Sequence, residues 1–447
     1  VLADEVSRRE TNSAALRART AGLDPSMRID TWDTTAAVRY DQQLWAELTS
    51  LRFLDGPHGA LLLGPVGVGK THLATALGHI AVRRRHSVLM ARADKLFKRL
   101  KAARLDNSVE AEMRRLAHIE LLILDDFALQ PLDATETTDY IVPTGILRRA
   151  DIADVMMLAT RPGPVSLYPV LAVEPDATVA AFDEQYPEGA DYVIVPAMSP
   201  VDDPAALAWI RSQAGKGATV IGICAGARVV GASGLLDGKR ATTHWFHLRK
   251  LLKRTPTITY VANRRLVVDG HVVTTTGITA SMPMMLTLIE AIAGREKAEA
   301  VAGDLGLARW DARHDSAAFK FTRPFATTVL GNVLALWNRE EFGIELRPGV
   351  DEVSLALVAD AWSRTYRSRA VTFAGTADAV ETRNGIRIVP DGAASDWPEG
   401  KRVPAFAGGA PAEALNQALL AIADRYGGRT ADVVAMQLEY PNWTPSR

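Results

Sequence analysis

The sequence predicts an α/β protein built in two parts, and three stretches predict it. The first is the run Gly64 to Thr71, a glycine-rich loop set between an apolar strand and a helix. The second is Leu121-Leu122-Ile123-Leu124, an apolar strand that ends in Asp125-Asp126. The third is Thr219-Val220-Ile221-Gly222-Ile223, which runs into the small-residue turn Cys224-Ala225-Gly226-Ala227 and then a helix. In each, an apolar run of strand length opens directly onto a loop that can hold chemistry, as in sheets whose strand ends carry the site.

At 447 residues the chain is too long for one ordinary core, and two or three domains are expected. The composition, 48% apolar and 23% charged, is that of a soluble globular protein. A net charge of −1 gives no overall pull toward nucleic acid. Arg83-Arg84-Arg85 reads as a solvated helix end, or locally as a phosphate contact. The single cysteine, Cys224, excludes an intramolecular disulfide and fits a reducing cytoplasm. No signal peptide and no membrane-length apolar run is found. The chain opens on Val1 rather than Met, as an alternative start or a fragment would.

Residues 1–22 are charged and Ala-rich and predict a helix that breaks at Asp24-Pro25. Residues 41–53 predict a second helix with Leu44, Trp45, Leu48 and Leu51 on one face. Residues 60–63 then form the strand that enters the loop. Gly64, Gly67 and Gly69 can turn several backbone N–H groups onto one anion, and the helix that follows adds its positive end. The binding stretch is Gly64, Pro65, Val66, Gly67, Val68, Gly69, Lys70, Thr71 and His72. Its pattern is that of a phosphate loop for ATP: Lys70 reaches the β- and γ-phosphates and Thr71 ligates Mg2+. Residues 87–91 read as a strand, 94–105 as a basic helix and 109–117 as another helix. At the end of the next strand Asp125 would hold the magnesium shell, and Asp126 would act as general base toward the attacking water.

Up to about residue 138 the chain resembles the IstB-like helper ATPases of bacterial insertion sequences, in the AAA+ group. The resemblance rests on Leu23-Asp24-Pro25-Ser26-Met27-Arg28, residues 54–78 and residues 122–132. It implies ATP and Mg2+ as cofactors, and DNA and a transposase as partners. After Leu132 the family's two further core strands, with their sensor residue and their arginine for a neighbour's site, have no counterpart. The module is therefore read as truncated, occupying residues 1–139. Slow ATP turnover is expected, since a trans arginine supplies a factor of roughly 10³–10⁵ in comparable systems.

From Tyr140 the period changes. Residues 140–142 read as a strand, 150–159 as a helix, 165–173 and 178–182 as strands, 191–196 as a strand and 204–213 as a helix. At Cys224 the strand–turn–helix arrangement projects a nucleophile. A helix start would lower the thiol pKa, and the N–H of Ala225 would stabilise an oxyanion. The other reading of Cys224 is a small core residue. His244, after Arg240-Ala241-Thr242-Thr243, reads as base or charge partner of Cys224, or as a solvated loop histidine.

Residues 193–293 resemble the ThiJ/PfpI family of the class I glutamine-amidotransferase-like superfamily, and in particular the sensor domains of AraC-type regulators. The carrying residues are Ile221 to Gly226, Ala232 to Gly238 and Ala241 to Trp245. The resemblance implies a flavodoxin-like three-layer domain, residues 140–325, in which Cys224 is reactive and His244 lies near it. It also implies a small-molecule ligand, either a substrate or a sensed compound. Ala197-Met198 replaces a usual glycine pair. Asp154 is the nearest candidate for the acid that bonds the cysteine.

Residues 326–447 echo the preceding domain. Asp351 to Leu355 matches Ala153 to Met157, and Val403-Pro404-Ala405-Phe406 matches Val195-Pro196-Ala197-Met198. The turn equivalent to Cys224 then falls near Ala435-Met436, without a thiol. The segment reads as a degenerate half-copy packed on the first domain, or as a chance similarity between α/β segments. Two function classes stand: an ATP-binding transposition helper, and a cysteine-dependent enzyme or sensor. A homo-oligomer is compatible with both.

Overall fold

The structure is a computed structural model that describes residues 2–32, 40–56, 59–60, 62, 68–92, 95–96, 99, 109–125, 135–335, 338–403, 409–441 and 443–444. The chain divides into two compact units, Val1–Gln130 and Pro131–Arg447. The division falls ahead of the expected join at residue 140 and assigns the segment 131–139 to the second unit, with consequences for the site.

In the first unit the helix Leu2–Thr20 is followed by Gln42–Ser50, Lys70–Arg83 and Val109–Ala117. Asp41 caps the second of these, its carboxylate accepting from the N–H of Leu44 at 2.9 Å. On that helix Trp45 and Leu48 pack inward and Leu51 is buried just past its end, whereas Leu44, expected on the same face, is exposed. Strands Val88–Arg92 and Leu121–Asp125 pair in parallel, Val88 with Leu121 and Arg92 with Asp125. The core gathers Ala18, Leu23, Leu51, Leu77, Val82 and Ile123. Leu61 and Leu63 of the expected entering strand, and most of the helix expected over 94–105, lie outside the described residues.

The second unit contains a sheet in the order Leu266–Asp269, Val272–Thr275, Thr219–Gly222, Tyr192–Val195, parallel except for its first pair. Side chains alternate between its faces, as the strand period requires. Val193, Val195 and Val220 pack with the helices Pro204–Gly215, Gly226–Ala232 and Leu248–Arg254. Ile221, Ile223 and Val273 pack on the other side with Thr137–Ala150 and Ser281–Ala293. These are the three layers of the expected flavodoxin-like domain.

Four local expectations differ from the fold, and one is the strand expected over 165–173, which is a hairpin of Val165–Tyr168 and Ala172–Glu174. Residues 140–142 lie inside the helix Thr137–Ala150, with Ile141 and Val142 fully buried. The β-branched pair before Pro143 suggested extended backbone, but burial on both sides overrides that preference. Asp151, at φ 49°, ends this helix where a new one was expected; a loop follows, then the strand Leu158–Ala159. Residues 179–185 form a helix rather than a strand, capped by the Thr178 hydroxyl, which accepts from the N–H of Ala181 at 3.1 Å.

The C-terminal segment supplies strands Glu340–Glu345, Ser368–Ala374, Val380–Glu381 and Arg387–Val389, and helices Glu352–Ser363, Pro411–Tyr426 and Gly428–Leu438. It shares one continuous core with the first part of the unit: Ile141 and Leu286 cluster with Leu355, Trp362 and Leu419. Two of the expected echoes shift. Ala153 to Met157 is not helical, so it is no counterpart of the helix that Asp351 caps, and Ala435-Met436 lies within a helix rather than at a turn. Pro404 to Phe406, in the remaining echo, lie outside the described residues. Among the described residues no helix is long and apolar enough to cross a membrane.

Candidate functional site

In the first unit the helix Lys70–Arg83 starts from Gly69, at φ 87°. A side-chain carbon there would come within 2.5 Å of the Trp32 ring, so glycine is required for space as well as for backbone angle. The Thr71 hydroxyl donates to Asp125 Oδ1 at 3.0 Å, so the two expected magnesium ligands meet at the mouth of the parallel pair. His72 turns away to the preceding segment: its Nε2 lies 2.7 Å from the Arg28 carbonyl and its ring meets Trp32 edge-on at 5.2 Å. Gly64, Pro65, Val66, Gly67 and Asp126 lie outside the described residues. The residues that can be followed fit a magnesium–triphosphate: a helix N-terminus with Lys70 and Thr71 in its first turn, and a hydroxyl and a carboxylate already adjacent.

In the second unit Cys224 is held at φ 53° between the strand Thr219–Gly222 and the helix Gly226–Ala232. Its N–H donates to the Thr275 hydroxyl at 3.0 Å, and its carbonyl accepts from the Thr243 hydroxyl at 2.9 Å. The turn closes so tightly that a side chain at Gly226 would strike the backbone of Val195 and Pro196. A left-handed cysteine on such a turn is backbone strain of the kind found at functional sites. The sulfur is nevertheless enclosed, with the residue 4% exposed. Burial pushes the thiol well above its ordinary pKa, and the carboxyl groups of Asp139, Glu136 and Glu439 push the same way. The N–H of Ala225 opposes them. The lowered pKa expected from the helix start is thus reversed, because desolvation and three nearby acids outweigh one N–H group at a seven-residue helix.

The acids explain the site better than the expected Asp154, which lies exposed on a loop. Glu136 and Asp139 sit at the start of the helix Thr137–Ala150, whose residues 140–142 read from sequence as a strand. Asp139 Oδ2 accepts from the N–H of Ala197 at 3.2 Å, while its buried Oδ1 has no partner. Burial, then the charge of Glu136, raise the Asp139 pKa well above the carboxylate range. Glu136 pairs with Arg364, which also binds Asp360 at 2.6 Å. His244 is buried, with Nε2 3.0 Å from the Gln437 carbonyl and Nδ1 accepting from the N–H of Phe246 at 3.2 Å. Burial lowers its pKa, and both ring nitrogens are engaged by backbone. Among the described residues no hydrogen bond joins it to Cys224. Sequence reading missed Glu136, Asp139, Arg364 and Glu439. An acid in the first turn of a helix was the available signal for Asp139, and the last two are brought in from more than a hundred residues away in the chain.

Residues 1–144 match the family of IstB-like ATP binding proteins, and residues 128–291 match the DJ-1/PfpI family. An insertion-sequence ATP-binding protein of Mycobacterium tuberculosis is 35% identical over 136 residues, 30% of this chain and 54% of that protein. The chain spans about half the length of the insertion-sequence relatives it matches. Isonitrile hydratase of Pseudomonas putida is 41% identical over 102 residues, 23% of this chain and 43% of that enzyme. Among solved structures, a ThiJ/PfpI family protein from Pseudomonas syringae is 20% identical, with TM-score 0.38, covering 46% of this chain and 83% of that one. An AraC family transcriptional regulator from Pseudomonas putida is 20% identical, with TM-score 0.34, covering 38% of this chain and 94% of that one. The protein therefore carries an IstB-like ATP-binding domain followed by a DJ-1/PfpI domain.

Proposed function

We propose that the first unit binds ATP with Mg2+ and turns it over slowly, as the nucleotide-holding part of a transposition helper that acts with DNA and a transposase. The observation that carries this reading is the 3.0 Å contact between the Thr71 hydroxyl and Asp125 Oδ1. A hard divalent cation bound to phosphate takes a hydroxyl and a carboxylate from the protein, and this pair is adjacent at the end of a parallel strand. Lys70, in the first turn of the same helix, supplies positive charge to the phosphates. Slow turnover is inferred from how far the likeness runs: the IstB-like match ends at residue 144 and the chain spans about half of those relatives' length, so the part expected to complete a neighbour's site is not among the matched residues. Calorimetry of ATP with Mg2+ tests the reading. The Lys70→Ala protein should lose affinity by tenfold or more, about 1.4 kcal/mol. Equal affinity in mutant and parent would sink it.

A second reading belongs to the second unit and is favoured by the left-handed Cys224 beside the unpartnered oxygen of Asp139. Cys224 would add through sulfur to the electrophilic carbon of a small carbonyl compound or isonitrile, with Asp139 exchanging the proton that moves between thiol and adduct. Isonitrile hydratase is among the relatives of this part of the chain. Incubation with a small isonitrile or dicarbonyl should give turnover or a covalent adduct that Cys224→Ser and Asp139→Asn each abolish. An adduct unaffected by Asp139→Asn would remove Asp139 from the reading.

A further inference from the structure

The C-terminal segment repeats the start of the DJ-1/PfpI domain, hydrogen bond for hydrogen bond. Asp176 receives the N–H of Met157 on Oδ2 at 2.5 Å and returns its own N–H to the Met157 carbonyl at 2.8 Å. Asp391 does the same with Thr372, at 2.8 and 2.9 Å, and both residues lie 215 further on (391 − 176; 372 − 157). The parallel pairs Leu158–Ala177 and Ala159–Thr178 recur as Phe373–Gly392 and Ala374–Ala393, again 215 on. The hairpin pair Val165–Val173 recurs as Val380–Ile388. The two hairpins join antiparallel through Val173 and Ile388, themselves 215 apart, so an internal two-fold passes through that pair.

The last two helices repeat with a different spacing. Gly294, at φ 86°, separates Ser281–Ala293 from Arg295–Leu305. Gly427, at φ 88°, separates Pro411–Tyr426 from Gly428–Leu438, at an offset of 133 (427 − 294). The capping bond from the Leu307 N–H to the Ala302 carbonyl recurs as Tyr440 to Ala435, each at 2.9 Å and at the same offset (440 − 307; 435 − 302). The offset falls by 82 (215 − 133) because the second copy is shorter by that many residues in the interval between its hairpin and its last helices. In the first copy that interval holds the Cys224 turn and His244.

One residue breaks the symmetry where it matters. Gly306 ends the Arg295–Leu305 helix in left-handed conformation, φ 75°. Its counterpart at the same offset (439 − 306) is Glu439 at φ 51°, a strained position that glycine would hold without cost. The Glu439 side chain is 2% exposed and runs into the first copy: Oε1 lies 2.8 Å from His314 Nε2, and Oε2 lies 4.0 Å from His244 Nε2 and accepts from the Trp245 N–H at 3.3 Å. The Glu439 carbonyl accepts from the Thr279 hydroxyl at 2.8 Å. Gly277 is bare to make room for it.

We infer that residues 340–441 are a second, shortened copy of the DJ-1/PfpI domain that has given up its own nucleophile turn and serves as a built-in partner, with Glu439 as a positioning residue that brings a carboxylate from the second copy to the His244 side of the Cys224 site. This rests on the reading of Cys224 as the reactive group of the unit. Among the described residues the charged groups that act on the thiol are Asp139 and Glu136 from the Thr137–Ala150 helix and Glu439 from the second copy, whose Oε2 reaches His244, next in the chain to the Thr243 that is bonded to the Cys224 carbonyl. His244 and His314 lie on Glu439, and Arg364 on Glu136. A carboxylate at Glu439 disfavours the thiolate, and an amide of the same shape would not.

Cys224 is the only cysteine, so full-length protein labelled with ¹³C-cysteine gives one Cβ resonance that reports its protonation against pH. Glu439→Gln, which keeps size and hydrogen-bonding capacity, should lower the titration midpoint by about half a pH unit or more, roughly threefold more thiolate at fixed pH. Glu413→Gln, an exposed carboxylate of the same copy that accepts from Gln417, should leave it in place. An unmoved midpoint in a folded Glu439→Gln protein overturns the inference and leaves the reading of Cys224 intact. A thiol that stays protonated throughout in both parent and variant also overturns the inference, while the reading of Cys224 falls only if the parent protein forms no adduct and shows no turnover with a small isonitrile or dicarbonyl.

Discussion

Arg364 carries one positive charge and lies among three buried carboxyl groups, Glu136, Asp139 and Asp360. One guanidinium cannot neutralise three carboxylates in a desolvated site, so the cluster retains protons that water would take. Burial raises Glu136 to about 7 from 4.5 despite its pairing with Arg364, and burial raises Asp139 and Asp360 as well. The sign of the consequence follows from the proton count. Between about pH 4.5 and 7 the folded protein holds the Glu136 proton while the unfolded chain has released it. The stabilisation is therefore full below 4.5 and is lost as the pH rises toward 7, an effect of at most about 3 kcal/mol. Urea midpoints for the second unit should fall between about pH 5 and about pH 8, and Glu136→Gln should flatten that fall without removing the share due to Asp139 and Asp360. A slope unchanged by the substitution would place the retained proton elsewhere. The same cluster holds the acid that faces Cys224, so the residue that titrates the fold is tied to the residue that would serve the chemistry.

At the scale of elements, the two aspartates of the repeat do one job twice. Each ends a hairpin and locks it to a neighbouring strand through an N–H on the carboxylate and a returned N–H from its own backbone. Asp176→Ala and Asp391→Ala should each cost about 1–3 kcal/mol, since a buried strand N–H loses its acceptor. Comparable losses in denaturant unfolding are the expected result, and a loss confined to one site would mean that the two hairpins are held differently. What the sequence made legible at this scale was short-range. The Lys70 helix with its glycine start, the strand into Asp125 and the strand into Cys224 were all readable, because an apolar run, a glycine and a reactive side chain lie within a few residues of one another. The Thr137–Ala150 helix was not. Ile141, Val142 and Pro143 each disfavour a helix locally, and only burial between the sheet and the second copy makes them helical. With that helix misread, Glu136 and Asp139 could not be placed at the cysteine. A repeat was expected from the sequence but on the wrong pairs: at the offset of 215 Asp351 falls opposite Glu136 (351 − 215), not Ala153, because the interval that holds the nucleophile turn is missing from the second copy and sequence similarity alone does not say where the gap falls.

At the scale of the whole molecule, the protein has two compact units, and each has its own core. Leu23, Leu77 and Ile123 gather in the first; Ile141, Leu286 and Leu355 gather in the second. A unit with its own core can unfold as its own cooperative transition. A ligand that binds one unit stabilises only that unit, by RT ln(1 + [L]/Kd), which is about 2.7 kcal/mol at a hundredfold excess over Kd. The proposed nucleotide residues Lys70, Thr71 and Asp125 lie in the first unit, and every residue of the Cys224 cluster lies in the second. Scanning calorimetry of the full chain should therefore show two transitions. ATP with Mg2+ should raise one of them and leave the other, together with the Cys224 titration, where it was. Lys70→Ala should remove the shift without moving the ligand-free transitions. A single transition that ATP moves as a whole would show instead that nucleotide binding and the cysteine site share one cooperative fold.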